Sequence, residues 1–191
     1  RGLRTAPGPV RSRDLLRSVS RLLDSLSDLG ELTRRAMQLA VEQLDAECGA
    51  LLLVDAKTGT LAPVVERGAV DAATRSQAVT YSRKIVERVA ASGGSLLIHD
   101  AGSDPGGLSE SMVDLRLRSI VCVPLYRAGK VVGAVYLDDS RRDSAFSDTD
   151  RALLEGFAQL LAIAIEKSRG QEEERRRQEQ LEGENLSLRR E

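Results

Sequence analysis

The run from Ser119 to Ser140 constrains the fold of this chain more than any other segment. It holds two stretches of apolar, β-forming residues joined by a short connection at Ala128-Gly129-Lys130. A glycine in a short loop between two such stretches predicts a β-hairpin, because glycine accepts the positive φ angle that tight turns require. Both stretches are apolar almost throughout rather than alternating, so we expect both faces of the sheet to be covered by other elements.

The rest of the chain predicts helices and strands on either side of this hairpin. Buried or paired strands are expected over Cys48–Asp55, Thr60–Arg67 and Ser95–His99. Helices are expected from about Leu29 to Asp45 with Asp28 or Ser27 as N-cap, over Tyr81–Ala91 ending at Gly93-Gly94, over Ser111–Leu117, and from Ser147 onward with a capping box to Asp150. Tight turns make neighbouring strands antiparallel. This order predicts a mainly antiparallel sheet with terminal helices on one face and central helices and loops on the other.

Two terminal segments are predicted to be long helices. In the first, apolar residues are spaced four and three apart, which is an a/d seam that fits either a coiled coil or burial against the chain's own core. The last helix carries a broad apolar stripe and then a charged tail over 166–191, which fits a connector, the start of a coiled coil or a fraying end. We therefore divide the chain into a linker or tail (1–11), an N-terminal amphipathic helix (12–27), a globular domain (28–167) and a charged C-terminal helix or linker (168–191).

Composition excludes several classes of function. The 28 basic and 29 acidic residues give a net charge of −1, which offers no electrostatic argument for nucleic acid or an anionic membrane. Aromatic residues are only 3% with no tryptophan, which argues against a base-stacking surface. The chain has neither an apolar run long enough to span a bilayer nor a signal peptide. Cys48 and Cys122 lie in apolar strands without a CxxC motif, so we expect buried thiols in a cytoplasmic piece of a larger protein.

No catalytic constellation is evident, so we expect a binding module rather than an enzyme. The single histidine, His99, has no second metal-ligating neighbour, and the glycine-rich pieces match neither GxGxxG nor a phosphate-binding loop. Asp138 and Asp139 are adjacent on a strand and point to opposite faces, so they form no carboxylate dyad. The long polar loop over 100–110 crosses a covered sheet, which is where a small-ligand pocket is expected.

Five segments, taken in order and at this spacing, resemble the GAF domain family. The resemblance extends over about residues 28–167. The segments are CGALLLVD, IVERVAASGGSLLIHDAGSD, LRSIVCVPL, GKVVGAVYLD and FSDTDRALLEGFAQLLAIAIE. The resemblance implies an α+β fold (an α/β sandwich, GAF/PAS-like) with a six-stranded, mainly antiparallel sheet flanked by helices.

The resemblance also implies a function. The most similar members are sensor domains of bacterial regulators, in particular those that precede the ATPase of sigma-54-dependent transcriptional activators, and the ending ENLSLRRE is similar to the linker into that ATPase. Such a domain implies a homodimer, an unidentified small-molecule effector and a covalently linked output domain. The alternatives are a dimerisation module without a ligand in a histidine kinase, cyclase or phosphatase, and an enzyme such as a free methionine sulfoxide reductase.

Departures from related motifs argue against some ligands. Phe146 and Asp150 match the F-x3-D part of the cyclic-nucleotide signature, but Arg151 replaces its glutamate and no Asn-Lys pair precedes it. Neither cysteine is followed by histidine, which disfavours a bilin, and the reductase's cysteines are missing from the loop region. We expect no metal and no cofactor. The candidate ligand-binding residues are His99, Asp100, Met112, Leu115, Arg118, Cys122 and Tyr136. The candidate dimer-interface residues are Leu15, Val19, Leu22, Leu26, Leu160 and Leu161.

Overall fold

In the computed structural model of the chain, the structure describes residues 28–55, 57–68, 83–100 and 117–188, together with Arg17 and Arg21. These residues form helices α1 (Leu29–Gln43), α2 (Arg83–Ser92) and α3 (Asp148–Leu188), and strands β1 (Cys48–Val54), β2 (Leu61–Gly68), β3 (Leu96–Ile98), β4 (Ser119–Arg127) and β5 (Lys130–Asp139). The predicted strands and the helices at 29–45 and 81–91 match these bounds within about two residues. The predicted helices over 12–27 and 111–117 fall mostly outside the described residues.

The described strands form one antiparallel sheet in the order β2-β1-β5-β4-β3. The hairpin that dominates the sequence supplies its two inner neighbours, β4 and β5, and β1 pairs with the other side of β5. The fold is the expected α+β arrangement. Five strands lie within the described ranges, whereas the family resemblance implies six.

Each face of the sheet carries its own hydrophobic core. We call one the α3 face; it packs against α1 and α3 through the side chains Leu51, Leu53, Val121, Val123, Leu125, Val135 and Leu137. The other is the α2 face; it packs against α2 through Ala50, Leu52, Ile98, Ile120, Cys122, Ala134 and Tyr136. Successive residues of each strand alternate between the two cores. The prediction that both faces are covered, with the terminal helix α3 on one and the central helix α2 on the other, is confirmed.

The helix starts follow from local capping chemistry. The Asp28 carboxylate accepts a hydrogen bond from the Gly30 N–H at 2.8 Å, which caps α1 as predicted. At α3, Ser147 Oγ accepts from the Asp150 N–H at 3.2 Å, and Asp150 Oδ2 accepts from the Ser147 N–H at 2.8 Å. This reciprocal pair is the predicted capping box, with aspartate in the place usually taken by glutamate.

The turn between β4 and β5 forces an alanine into an unfavourable backbone conformation. Ala128 and Gly129 have φ angles of 47° and 76°, and they connect the paired residues Arg127 and Lys130. Two consecutive positive φ angles characterise a type I′ turn, which favours Asn-Gly, whereas a Cβ-bearing alanine is strained there.

Replacing Ala128 with asparagine is therefore expected to raise the free energy of unfolding by roughly 0.5–1 kcal/mol, because asparagine tolerates the left-handed conformation. Urea denaturation measures the change. The same substitution at Ala152, an exposed alanine inside α3, should lower stability, because asparagine is a poorer helix former. A loss of stability in the Ala128→Asn variant would contradict the turn assignment.

The described helices include none that is both long enough and apolar enough to cross a bilayer.

Candidate functional site

The α2 face forms an apolar floor centred on Tyr136. On β5 this residue pairs with Ala50 of β1 on one side and with Cys122 of β4 on the other. All three side chains are fully buried, and the small neighbours place the tyrosine ring between side chains that take up little space. The structure thus brings together two of the candidate ligand-binding residues, Cys122 and Tyr136, in the centre of the sheet.

A carboxylate lies at one end of this floor. Strand alternation places Asp138, two residues beyond Tyr136, on the α2 face, where it pairs with Cys48 and Ile120 on the flanking strands. Asp138 is only 1% exposed. Sequence reasoning set this residue aside because it does not form a dyad with Asp139. The signal for its place on this face was that it lies two residues from Tyr136 on the same strand.

Cys122 is part of the packed floor and is not a nucleophile in this structure. Its side chain is fully buried, and burial raises the pKa of the thiol well above its usual range. Cys48 is also buried, and neither cysteine forms a disulfide. Because the thiolate is the reactive form of cysteine, burial lowers the reactivity of the Cys122 thiol. The described residues contain no cluster of three or more metal-ligating side chains.

The remaining candidate residues lie at the rim or outside the described ranges. His99 and Asp100 are exposed at the end of β3, and the exposed Arg118 donates to Asp143 at 3.1 Å. Ser144 N–H donates to the His99 carbonyl oxygen at 2.6 Å, which ties this strand end to the segment before α3. Met112 and Leu115 lie outside the described residues.

Ser119 joins three segments at the same rim. Its hydroxyl donates to the Ile98 carbonyl at 3.1 Å and accepts from the Ala145 N–H at 3.1 Å. The side chain is fully buried, so both bonds form away from water. The end of β3, the start of β4 and the approach to α3 are therefore fixed to one another.

The candidate dimer residues on α3 differ in how far the structure buries them. Leu161 is fully buried in the α3-face core, so its side chain is not available at the surface, whereas Leu160 is partly buried. Ile163, which the sequence stripe did not single out, is 61% exposed. Leu15, Val19, Leu22 and Leu26 lie outside the described residues.

A groove occupies the opposite end of the α2 face. It has a volume of about 480 Å³ and lies between α2 and the turn ends of β1, β2 and β5. Leu52, Val86 and Val131 line its wall, and an ion pair between Arg83 and Glu87 at 2.9 Å lies on its rim. Its walls are formed mainly by α2 and three strands, and its volume lies within the range of small-ligand sites.

A polar cluster that sequence reasoning missed fixes the far end of β5. The buried Asp139 carboxylate accepts hydrogen bonds from Arg141 and Arg142. The Arg142 guanidinium also donates a hydrogen bond to the Asp45 carboxylate at 2.7 Å. Glu47 accepts from the Ser140 N–H at 2.8 Å. The acid at a strand end followed closely by two arginines was the available signal. The cluster joins the β5 end to the α1–β1 connection.

Comparison with known proteins identifies the family. The family model described as GAF domain matches residues 27–166. The chain belongs to the GAF domain family. Among solved structures, this GAF domain is similar to free methionine-R-sulfoxide reductase from Neisseria meningitidis, with 19% identity and a TM-score of 0.68 over 88% of this chain and 98% of that chain.

Two further solved structures show how varied the proteins with this fold are. The GAF domain of a phosphoenolpyruvate-protein phosphotransferase from Coxiella burnetii is 14% identical, with a TM-score of 0.67 over 86% of this chain and 98% of that chain. A GAF domain/HD domain protein from Geobacter sulfurreducens is 19% identical, with a TM-score of 0.58 over 77% of this chain and 97% of that chain. At these identities the likeness concerns the fold alone.

Proposed function

We propose that this GAF domain is a cytoplasmic sensor that binds a small-molecule effector on the α2 face. The observation that carries the proposal is the floor itself, on which a tyrosine is flanked by small side chains and a buried carboxylate closes one end. The buried side chains of Tyr136 and Cys122 make the floor largely apolar, and Asp138 adds a carboxylate that is 1% exposed. An uncharged or cationic molecule with an apolar body and a hydrogen-bond donor fits this chemistry.

The test is a thermal-shift screen with small amines, alcohols and amides, including cyclic AMP and cyclic GMP as compounds expected to have no effect. We expect a hit to raise the melting temperature of the unmodified chain, since a ligand that binds only the folded state stabilises it. Cys122→Leu, which adds volume at the centre of the packed floor, should lose the shift, and circular dichroism checks that this overpacked variant still folds. In the Asp138→Asn variant, the rise in melting temperature should fall more for amine ligands than for alcohol ligands.

A collapsed floor is the second candidate. All three central floor side chains are fully buried without any ligand, which favours a dimerisation module that no longer binds an effector. If no compound shifts the melting temperature and native mass spectrometry of the purified chain shows no bound small molecule, the sensor proposal fails and this second function stands.

We propose that the output domain is the ATPase of a sigma-54-dependent transcriptional activator, because the charged ending is similar to the linker into that ATPase. The helical form of α3 as far as Leu188 supports a connector that leads away from the domain. The related solved structures belong to a phosphotransferase and an HD domain protein as well, so a kinase, cyclase or phosphatase is the competing output. The sequence that follows Glu191 tests this directly, because a phosphate-binding loop there would identify the ATPase.

We also propose that the domain is not an enzyme. Both cysteines are buried, so a thiol reagent such as DTNB should label neither of them in the folded chain at pH 7, except at the slow rate set by local opening. Both should react at once in guanidinium chloride. A rapidly reacting thiol in the folded protein would contradict this expectation and would favour a reductase.

Finally, we propose that the sensor acts as a homodimer through its terminal helices. On α3 the exposed Ile163 lies on the contact surface and the partly buried Leu160 borders it, whereas the buried Leu161 does not take part. Effector binding changes an output only if the two arrangements of the dimer differ in affinity for the effector. Sedimentation that shows a monomer at high concentration would contradict the dimer without affecting the effector screen.

A further inference from the structure

The outer side of α3, away from the sheet, carries a continuous line of residues that we call the seam. At 100° per residue its members lie within roughly 40° of a common direction around the helix axis. Ile163 and Leu181 are 61% and 52% exposed, and five full turns separate them, so they point in the same direction. The seam consists of Gly156, Ile163, Lys167, Gly170, Glu174, Arg177 and Leu181.

The charges of α3 divide according to this line. On the opposite side, Glu172 pairs with Arg175 at 3.0 Å and with Arg176 at 3.1 Å, and Arg175 also approaches Glu179 at 3.8 Å. On the seam, by contrast, neither Lys167 nor Arg177 pairs with any acid in the part of the chain that the structure describes. The charges on the opposite side are therefore balanced by ion pairs within the chain. The seam, in contrast, exposes both acidic and basic side chains to solvent.

From this pattern we infer that a second copy of the chain docks on the seam in antiparallel orientation, with the two-fold axis between positions 175 and 176. In this register Glu174 faces the partner's Arg177. By symmetry, Arg177 faces the partner's Glu174. Leu181 faces the partner's Gly170, where the missing side chain leaves room for it. The inference rests on the proposed homodimer and specifies its geometry.

The parallel alternative is electrostatically unfavourable along the same line. It would place Lys167, Glu174 and Arg177 each against its own copy, at the positions of a coiled coil that are closest to the partner helix. Like charges at such spacing repel, and each of these layers would be destabilised. The antiparallel arrangement converts the two central layers into attractive pairs.

The length of α3 suits the antiparallel arrangement. The helix continues to Leu188, far enough for the partner's helix to run alongside Ile163. The overlap is roughly 40 Å long at 1.5 Å per residue, which is more than three heptads. Because the globular part of each copy packs near the start of α3, the two domains lie at opposite ends of this overlap.

Charge reversal tests the orientation. We expect Glu174→Arg and Arg177→Glu each to weaken the dimer by roughly tenfold in sedimentation equilibrium, because two symmetry-related pairs change from attractive to repulsive. The double variant should recover the original dissociation constant. Glu182→Arg and Arg169→Glu, which make the same charge changes away from the seam, are the matched controls and should leave it unchanged.

Cysteine cross-linking provides the second measurement, with the buried native cysteines left in place. In the antiparallel register, Gly170→Cys mixed with Leu181→Cys should give a disulfide between the two variants. Gly170→Cys alone should give none, since its two copies would lie roughly 16 Å apart along the axis, beyond the reach of a disulfide. Efficient cross-linking of Gly170→Cys to itself, or equal dissociation constants for all charge variants, would overturn the antiparallel arrangement while the sensor proposal stands. A monomeric chain would overturn both the orientation and the proposed dimer.

Discussion

Replacing Asp139 with alanine is expected to lower the free energy of unfolding by about 3 kcal/mol, the cost of removing one member of a buried ionic network. The carboxylate accepts from the backbone N–H groups of Arg141 and Arg142 at 2.9 and 3.0 Å. It also accepts from the Arg141 guanidinium at 2.8 Å, and its side chain is fully buried. Truncation leaves these donors without their acceptor. Urea denaturation at pH 7 measures the loss, and Asp139→Asn, which keeps one acceptor oxygen, should lose less.

The same carboxylate makes stability depend on pH in acid. Burial opposes its ionisation, but the hydrogen bonds from Arg141 and Arg142 outweigh burial and hold the pKa of Asp139 at about 2. An unfolded aspartate has a pKa of about 3.9, so the folded state favours the ionised form. The resulting stabilisation, about 2 kcal/mol, is fully present above pH 4 and is lost as the pH falls towards 2. Asp139→Asn should flatten this part of the pH profile, and an unchanged profile would contradict the assignment.

Gly133→Ala is the second substitution with a large expected effect. A Cβ at this position would lie 2.4 Å from the Leu52 carbonyl oxygen and 2.8 Å from Leu53 Cδ2. The first of these is backbone of the neighbouring strand, so β1 and β5 must move apart for the methyl group to fit. We expect a loss of about 3 kcal/mol or more, at the upper end of overpacking effects.

The matched control for this substitution is Gly183→Ala. Gly183 lies in α3, where an added Cβ would meet no other atom within 4 Å, and the change should stabilise the helix by roughly 0.5–1 kcal/mol. Thermal unfolding of both variants and of the unmodified chain shows whether each substitution lowers or raises the stability. If Gly133→Ala proved as stable as the unmodified chain, the close approach of β1 and β5 would be wrong.

Local chemistry made much of the fold predictable from the sequence. The β4–β5 hairpin follows from two apolar stretches around a glycine, and the start of α3 follows from Ser147 and Asp150, which satisfy each other's backbone groups. The two-sided burial of the sheet follows from the central strands β1, β4 and β5, which are apolar at almost every position. Each of these signals lies within a few residues of the structure that it predicts.

The features that the sequence did not reveal depend on contacts between distant segments. Leu160 and Leu161 belong to one apolar stripe, and only the packing of α3 on the sheet shows which of the two is buried. In the sequence, Ser119 is indistinguishable from an ordinary strand residue. Its role in joining β3 to the approach to α3 depends on hydrogen bonds to residues that are distant in sequence. The floor position of Asp138 likewise requires the pairing register, since a shift by one residue would turn its side chain to the other face.

Strand β4 has a thermodynamic consequence for signalling. Its residues alternate between the two cores, so Cys122 contacts the α2 face while Val121 and Val123 pack on the α3 face. The first seven of its nine residues are buried, so this strand borders both cores and a displacement of it changes the free energy of each. In the dimeric sensor proposed above, coupling of this kind would be reciprocal: the factor by which an effector alters the dimerisation constant would equal the factor by which dimerisation alters affinity for the effector.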